Sequence, residues 1–397
     1  MEASAEATPS LPDKKGPDIS ALIRRVLDTI LVPVLAVFSA LVIGGLIIIV
    51  TDANVYAAFR EDGIGGGLAT ALNAVRVAYG ALYSGSLGDL NAISESLVAS
   101  TPFIFAGLAV AFGFRGGLFN IGAEGQLLVA AGAAVVIGTR LQLPALIHLP
   151  LALLGGMLAG AIYGAIPGYL KAKTGAHEVI NTIMMNWIAI LFFKWAFTGP
   201  LRRAGGDAPV TDAIYPSAYL PQFFEGYRLH WGFLLALLVA AGIWWLLFKS
   251  TLGFEIRMVG ANPNAARYGG IKIGRILVLT MAISGGLAGL AGTGELLGLN
   301  HFLAEGFSPG FGFDAIALAL LGKSHPLGVV LAALLFGTLR NGATRMQSIA
   351  SIPIDIISIV QALVIVFVAA PHIVRWIYRV RIKTEADSTV FTRGWGA

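Results

Sequence analysis

The stretch "LIHLPLALLGGMLAGAIYGAIPGYL", Leu146–Leu170, decides the fold. It holds no Lys, Arg, Asp or Glu, and its only group that titrates near neutral pH is His148, at the very start. A bilayer core of about 30 Å is crossed by about 20 apolar residues as a helix, or by about 9–11 as a barrel strand. This run is too long for a strand, and in lipid only a helix or a closed barrel satisfies its own backbone. Working outward, Ile30–Val50, Trp231–Phe248, Ile276–Gly294 and Ile356–Val374 read the same way, the last interrupted by His372. Leu97–Phe112, Leu127–Gly138, Val179–Phe197, Ala315–Gly322 and Leu327–Leu339 are shorter or more polar and bring the total to about ten. The chain therefore reads as an all-α polytopic membrane protein. Composition agrees: 12% of residues are charged, against about 25% in a soluble domain, and the mean hydropathy is +0.79.

The same stretch carries Gly156, Gly160, Gly164 and Gly168 at four-residue spacing. One smooth helix face of this kind lets another backbone approach closely, so these residues are read as packing scaffold. The chain also shows a pseudo-repeat. Residues of about 97–199 and 276–374 each hold four apolar segments, and each half is broken near the same place, by "FGFRGGLFNIGAEGQ" and by "ELLGLNHFLAEGFSPGFGFDAIALALLG". Paired Gly-rich or Pro-rich breaks point to a translocation path and to broken or re-entrant segments, because irregular backbone survives at membrane depth only where protein or water solvates it.

Residues 1–20 ("MEASAEATPSLPDKKGPDIS") read as a polar, disordered tail, residues 21–380 as one membrane domain, and 381–397 as a second tail. The first apolar run exceeds the roughly 7–15 residues of a signal-peptide core and is read as a membrane helix. The chain has no cysteine, which excludes disulfides and thiolate catalysis and leaves the redox compartment unreadable. Alternating ten segments puts eighteen Lys and Arg on one side and eight on the other. The positive-inside rule then places both termini in the cytoplasm. The net charge of +5 follows from topology, with no nucleic-acid partner implied.

Three polar stretches stand out. In "GLFNIGAEGQLLVAAGAAVVIG", Gly117–Gly138, Asn120, Glu124 and Gln126 head an apolar run. A central charge facing lipid costs roughly 2.5–3.5 kcal/mol, so Glu124 must face protein or water. Two readings stand side by side: a polar lining along the path of a neutral, hydrogen-bonding solute, or a structural knot that holds a broken helix. In "TGAHEVINTIMMNW", Thr174–Trp187, His177-Glu178 lacks the second His, at Asn181, that a zinc-protease pattern needs, and no metal site is read here. Asn181 and Asn186 read as interhelical hydrogen-bonding groups or as solute ligands. In "LLGKSHP", Leu320–Pro326, a Gly-Lys-Ser ends no phosphate loop, since Ala317 stands where the first glycine is needed. Any ATP hydrolysis must belong to another chain.

The loop "KSTLGFEIRMVGANPNAARYGGIKIGR", residues 249–275, falls on the cytoplasmic side. Asn262 is a good N-cap, Pro263 suits the first helical position, and Gly269-Gly270 can end a helix of about two turns through Asn264, Ala265, Ala266, Arg267 and Tyr268. So short a helix does not persist alone, and a docking element is the better reading.

Together "GLFNIGAEGQ", "GAHEVINTIMMNW" and "GFEIRMVGANPNAARYGGI" resemble, in order and at the right topological places, the permease subunits of bacterial ABC importers of the simple-sugar and nucleoside type, related to ribose and branched-chain amino-acid permeases. The resemblance covers about Ser94 to Val374. It implies a second homologous permease, an ATPase chain with two nucleotide-binding domains that holds the ATP and Mg, a periplasmic or lipoprotein substrate-binding protein, and a place in the cytoplasmic membrane. It implies no cofactor or metal on this chain itself. It gives Asn262–Tyr268, with Arg257 nearby, the role of the coupling helix. The GAEGQ form points to purine or related nucleosides, with a simple sugar as the alternative. Asn120, Glu124, Gln126 and Asn186 would meet the ribose and base edges, Phe119 or Trp187 would stack on the base, and Asn181 belongs to the same path. An ion-coupled secondary transporter using Glu124, Glu295 or Asp314 stays open, but the capped cytoplasmic helix argues against it. A membrane enzyme lacks support, since the six His residues show no ligand spacing.

Overall fold

The computed structural model describes residues 19–205 and 208–379. In chain order its helices are α1 (Ile19–Thr51), α2 (Ala53–Glu61), α3 (Gly63–Ser86), α4 (Leu90–Arg115), α5 (Ala123–Arg140), α6 (Ala145–Thr174), α7 (Glu178–Thr198), α8 (Gly232–Lys249), α9 (Thr251–Ala261), α10 (Pro263–Tyr268), α11 (Ile273–Glu295), α12 (Phe311–Leu321), α13 (Pro326–Ala350), α14 (Asp355–Ala369) and α15 (Pro371–Tyr378). Seven of them are long and apolar enough to cross a membrane: α1, α4, α6, α7, α8, α11 and α13. With the less apolar α5 and the shorter α12 and α14 they account for the ten apolar segments. Ile356–Val374 is two helices, because α14 ends before Pro371, which cannot donate to the preceding turn. Of the two tails, only Ile19 and Ser20 lie within the described residues, and they open α1.

α4 is the axis of the bundle. Every residue from Phe103 to Phe112 is buried, which explains why this helix shows apolar residues all round rather than on one stripe. The packing partners come in matched pairs: α6 lies on α11 as α13 lies on α4, α5 lies on α11 as α12 lies on α4, and α4 meets α11 at the centre.

α6 and α11 touch backbone to backbone. A Cβ built on Gly160 would stand 2.6 Å from the Gly285 carbonyl oxygen, and one on Gly164 2.6 Å from that of Met281. Only glycine permits this approach, which replaces side-chain interdigitation by close van der Waals contact along two smooth faces.

The segment after α1, unreadable as a membrane run, is the 24-residue α3. Its buried side is a seam of small residues with one leucine, Gly67, Ala71, Ala78, Leu82 and Gly85, and it presses on α13, where a Cβ on Gly342 would meet the Leu82 carbonyl oxygen at 2.5 Å. The segment between α7 and α8 covers the end of the bundle opposite α10. Backbone amides of Tyr215, Leu220 and Ile214 donate to the carbonyls of Gly138, Leu297 and His301 at 2.8–2.9 Å, and Tyr219 stacks on His301 at 3.7 Å.

Candidate functional site

The break between α4 and α5 begins where Gly117 takes φ +72°, a left-handed turn that glycine adopts without strain. The chain then folds back beside its own helix, with the Leu118 amide on the Gly113 carbonyl at 2.9 Å. Asn120 and Gln126 form a reciprocal amide pair: Asn120 Nδ2 donates to Gln126 Oε1 at 2.8 Å, and Gln126 Nε2 donates to Asn120 Oδ1 at 3.1 Å. Asn120 also donates to Ser284 Oγ of α11 at 2.8 Å, and Ser284 donates to the Ala109 carbonyl at 2.6 Å. Asn186 of α7 fastens the far side, accepting from the Gly125 amide at 2.8 Å and donating to the Ile121 carbonyl at 2.7 Å. Asn120, Gln126 and Asn186 are buried, and their amide groups hydrogen-bond to protein.

Glu124 answers a different need. The first turns of α5 and α12 abut so closely that a Cβ on Gly312 would stand 2.2 Å from the Glu124 nitrogen. Two helices thus start at one interior point, each with unpaired amides and a positive dipole end. Glu124 Oε2 accepts from the Gly312 amide at 2.7 Å, so its carboxyl group lies where the two helix starts point their donors. Glu124→Ala therefore leaves the buried Gly312 amide unmet at about 1–3 kcal/mol, whereas Glu124→Gln keeps an acceptor. The expected thermal-melt order of purified protein is wild type, then Gln, then Ala; equal melting of Ala and wild type would refute the cap.

The side chains of the remaining residues singled out by sequence take no part in this hydrogen bonding. Phe119 packs on Phe114, ring centroids 4.5 Å apart. Trp187 is exposed on the outer face of α7 with Ile188 and Leu191, away from the break. Asn181 is half-buried, and its Nδ2 finds no partner among the described residues. Glu178 is buried against Lys171. Among the described residues no group of three His, Asp or Glu is placed to hold a metal. Gly322-Lys323-Ser324 forms the turn from α12 into α13, with the Ser324 amide on the Ala319 carbonyl at 2.7 Å and Arg115 Nε donating to the Ser324 carbonyl at 2.8 Å.

At the α10 end, Asn262 Oδ1 accepts from the Asn264 and Ala265 amides at 3.0 and 3.1 Å, and the Ile271 amide closes the helix on the Ala266 carbonyl at 3.0 Å. Ala266 is buried and seats the helix; Ala265 and Arg267 are exposed, and Tyr268 is 97% exposed. The first part of the same polar stretch is also helical: α9 is capped by Ser250 accepting from Gly253 at 3.0 Å. Its Gly260 sits against the start of the break, where a Cβ would meet the Arg115 carbonyl oxygen at 2.3 Å. Arg257 turns away from α10, its guanidinium 5.3 Å over the Phe248 ring.

One polar feature is invisible to sequence reading. Asp314 of α12 pairs with Arg340 of α13 at 3.5 Å, and each is about a third exposed (36% and 34%). Arg340 lies fourteen residues beyond Pro326, about 21 Å along the helix at 1.5 Å per residue. α13 runs on to Ala350, so Arg340 is a helix residue rather than part of an outer loop. Nearer the covered end, Arg228 pairs with Glu95 at 3.1 Å and lies within electrostatic range of Glu295, which accepts from Asn300 Nδ2 at 3.2 Å. Asn341, next to Arg340, donates to Ser96, next to Glu95, at 3.0 Å. Glu95 and Asn341 also line an open cleft of about 360 Å³ with Asp89, Asn91 and Arg345. A lone central charge costs roughly 2.5–3.5 kcal/mol against lipid, and here the charges are paired with one another.

The family described as branched-chain amino acid transport system / permease component matches residues 92–369. The chain belongs to this family. The permease is 42% identical over 357 residues to the guanosine ABC transporter permease protein NupP of Bacillus subtilis, covering 88% of this chain and 96% of that one. It is 34% identical over 306 residues to the nucleoside ABC transporter permease protein NupB of Lactococcus lactis, covering 75% and 84%. It is 33% identical over 364 residues to the glucose ABC transporter permease protein TsgB13 of Haloferax volcanii, covering 89% and 90%. No solved structure matches the permease.

Proposed function

We propose that this permease forms, with a second homologous permease, the membrane path of an ATP-driven importer of nucleosides, with purine nucleosides foremost. The observation that carries the reading is the sustained likeness to a guanosine permease over nearly the whole of both chains. The permease has no ATPase site of its own in this reading. ATP and Mg belong to a partner chain with two nucleotide-binding domains, and a periplasmic or lipoprotein binding protein delivers the solute. α10, capped at both ends with its outer side exposed, docks on that ATPase. α9 and α10 then face the cytoplasm, both termini lie inside, and the membrane is the bacterial inner membrane. The matched packing of α4–α7 and α11–α14 supports two pseudo-repeats, about 97–199 and 276–374. Glu124, Asn120, Gln126 and Asn186 act in this scheme by holding the break around which the path is built.

A simple sugar is the second reading, favoured by the likeness to a glucose permease. Uptake into vesicles holding the co-purified partners, with labelled guanosine, adenosine and glucose in parallel, decides between them. Guanosine accumulation that needs ATP and is not diluted by excess glucose is expected. ATP-driven glucose uptake without guanosine uptake would replace the nucleoside reading by the sugar one. Accumulation driven by an ion gradient alone would overturn both.

A further inference from the structure

The polar residues of the α4–α5 break are buried and bonded to protein, while a second set of polar groups is partly open and otherwise unexplained. These groups are carried by α4, by α11 with the turn after it, by α12 and α13, which all pack on α4, and by the segment before α8. Arg228 pairs with Glu95 at the covered end, Glu295 with Asn300 lies beside them, and the Asp314–Arg340 pair lies deeper in the bundle, the Ser96–Asn341 hydrogen bond tying together α4 and α13, the two helices that carry Glu95 and Arg340. By contrast, the exposed faces of α6 and α7 carry Leu158, Ile162, Ile188 and Leu191, as lipid requires. Half-open ion pairs at helix depth need water or a polar ligand in front of them.

We infer that the face formed by Glu95, Arg228, Glu295, Asn300, Asp314 and Arg340 lines the solute path and is where a nucleoside is held during passage. This deepens the proposed function and rests on it. The chemistry fits a neutral, hydrogen-bonding solute. Carboxylates accept from ribose hydroxyls, and guanidinium and amide groups donate to base carbonyls and ring nitrogens. The opposite charges are interleaved, so no single ion is trapped strongly. Phe313, adjacent to Asp314 and 48% exposed, offers a ring for the base, and stacking of this kind tolerates any base. A site built on hydroxyl contacts rejects an analogue that lacks them, so guanosine is preferred to its 2′,3′-dideoxy form.

Because the permease has no cysteine, single cysteines report on this face without background. Ala99→Cys, Leu299→Cys and Phe313→Cys place thiols at partly or fully exposed neighbours of the charged groups, and Leu158→Cys serves as the lipid-facing comparison. In the assembled transporter the first three are expected to react with a charged, water-soluble thiosulfonate and to be protected by guanosine, while Leu158→Cys reacts only with a lipid-soluble maleimide. Asp314→Asn and Arg340→Gln are expected to raise the KM for guanosine uptake roughly tenfold or more, the worth of one charged hydrogen bond, and to narrow the discrimination against dideoxyguanosine. Three results overturn the inference: reaction with the lipid-soluble reagent alone, silence in the complex with cross-linking to the second permease, or reaction that guanosine leaves unchanged while uptake proceeds. Should the wild-type complex carry no nucleoside at all, the proposed function falls, and the labelling still decides separately whether this face is aqueous.

Discussion

Gly160→Leu and Gly285→Leu each prevent the permease from being recovered as a folded, monodisperse protein, whereas Gly242→Leu leaves recovery and melting unchanged. The first two meet backbone: a Cβ on Gly285 would lie 2.3 Å from the Gly160 carbonyl oxygen, and the reciprocal contact is 2.6 Å. No rotamer change relieves a clash with a neighbouring main chain, so the two helices must separate along their shared face. Overpacking of a tight interior costs typically about 1–3 kcal/mol for added methylenes with some freedom to adjust, and here neither side can adjust. α6 and α11 also carry contacts to α5, so a gap between them propagates to the break that α5 opens. Gly242, on α8, has nothing within 4 Å of where a Cβ would stand and supplies the comparison for the loss of a glycine as such. Size-exclusion profiles and thermal melts in detergent read the result, and wild-type behaviour of Gly160→Leu would show that the close contact is dispensable.

That face was legible from the four-residue glycine spacing, because a small-residue stripe is a local pattern. The ten apolar segments were legible for the same reason, since a membrane span declares itself by unbroken length. α3 was not, because its buried seam of small residues is interrupted by Asn73 and Arg76 on the other side and yields no apolar run. The two functions of the break separate on the same line. That Glu124 must avoid lipid follows from its charge alone. That it caps α12 depends on Gly312, 188 residues away, and no local pattern announces a pairing between two helix starts. The Asp314–Arg340 pair is a similar case: alternation of segments places Arg340 in a loop, whereas continuation of α13 carries it into the bundle to a partner. Sequence reading weighs each charge alone, and the structure assigns its partner.

The second large effect concerns α10. A permease carrying Ala265→Glu with Tyr268→Glu inserts and folds normally but fails to retain its ATPase, and ATP-driven uptake falls to the background of transporter lacking that chain. Six residues lie far below the roughly 12–15 at which an isolated helix becomes even marginal. Here Asn262, the Ile271 amide and the buried Ala266 hold the inner side. The outer side, with Ala265 and a 97% exposed Tyr268, is left for a partner. Substituting Ala266 would confuse the test by unseating the helix itself, which is why the pair Ala265 and Tyr268 is chosen. Transmission is tested separately at Gly260, where α9 rests on the Arg115–Gly117 turn that begins the break. Gly260→Ala adds a single methyl against this turn, the smallest change that pushes the two backbones apart, and leaves the outer side of α10 as it is. It is expected to keep the ATPase bound and hydrolysing ATP, with solute uptake lost. Binding is lost in one variant and coupling in the other, and no general unfolding produces that split. Normal ATPase retention and normal uptake in the Ala265→Glu, Tyr268→Glu variant would remove α10 from the docking surface and revive ion-coupled transport as the working alternative.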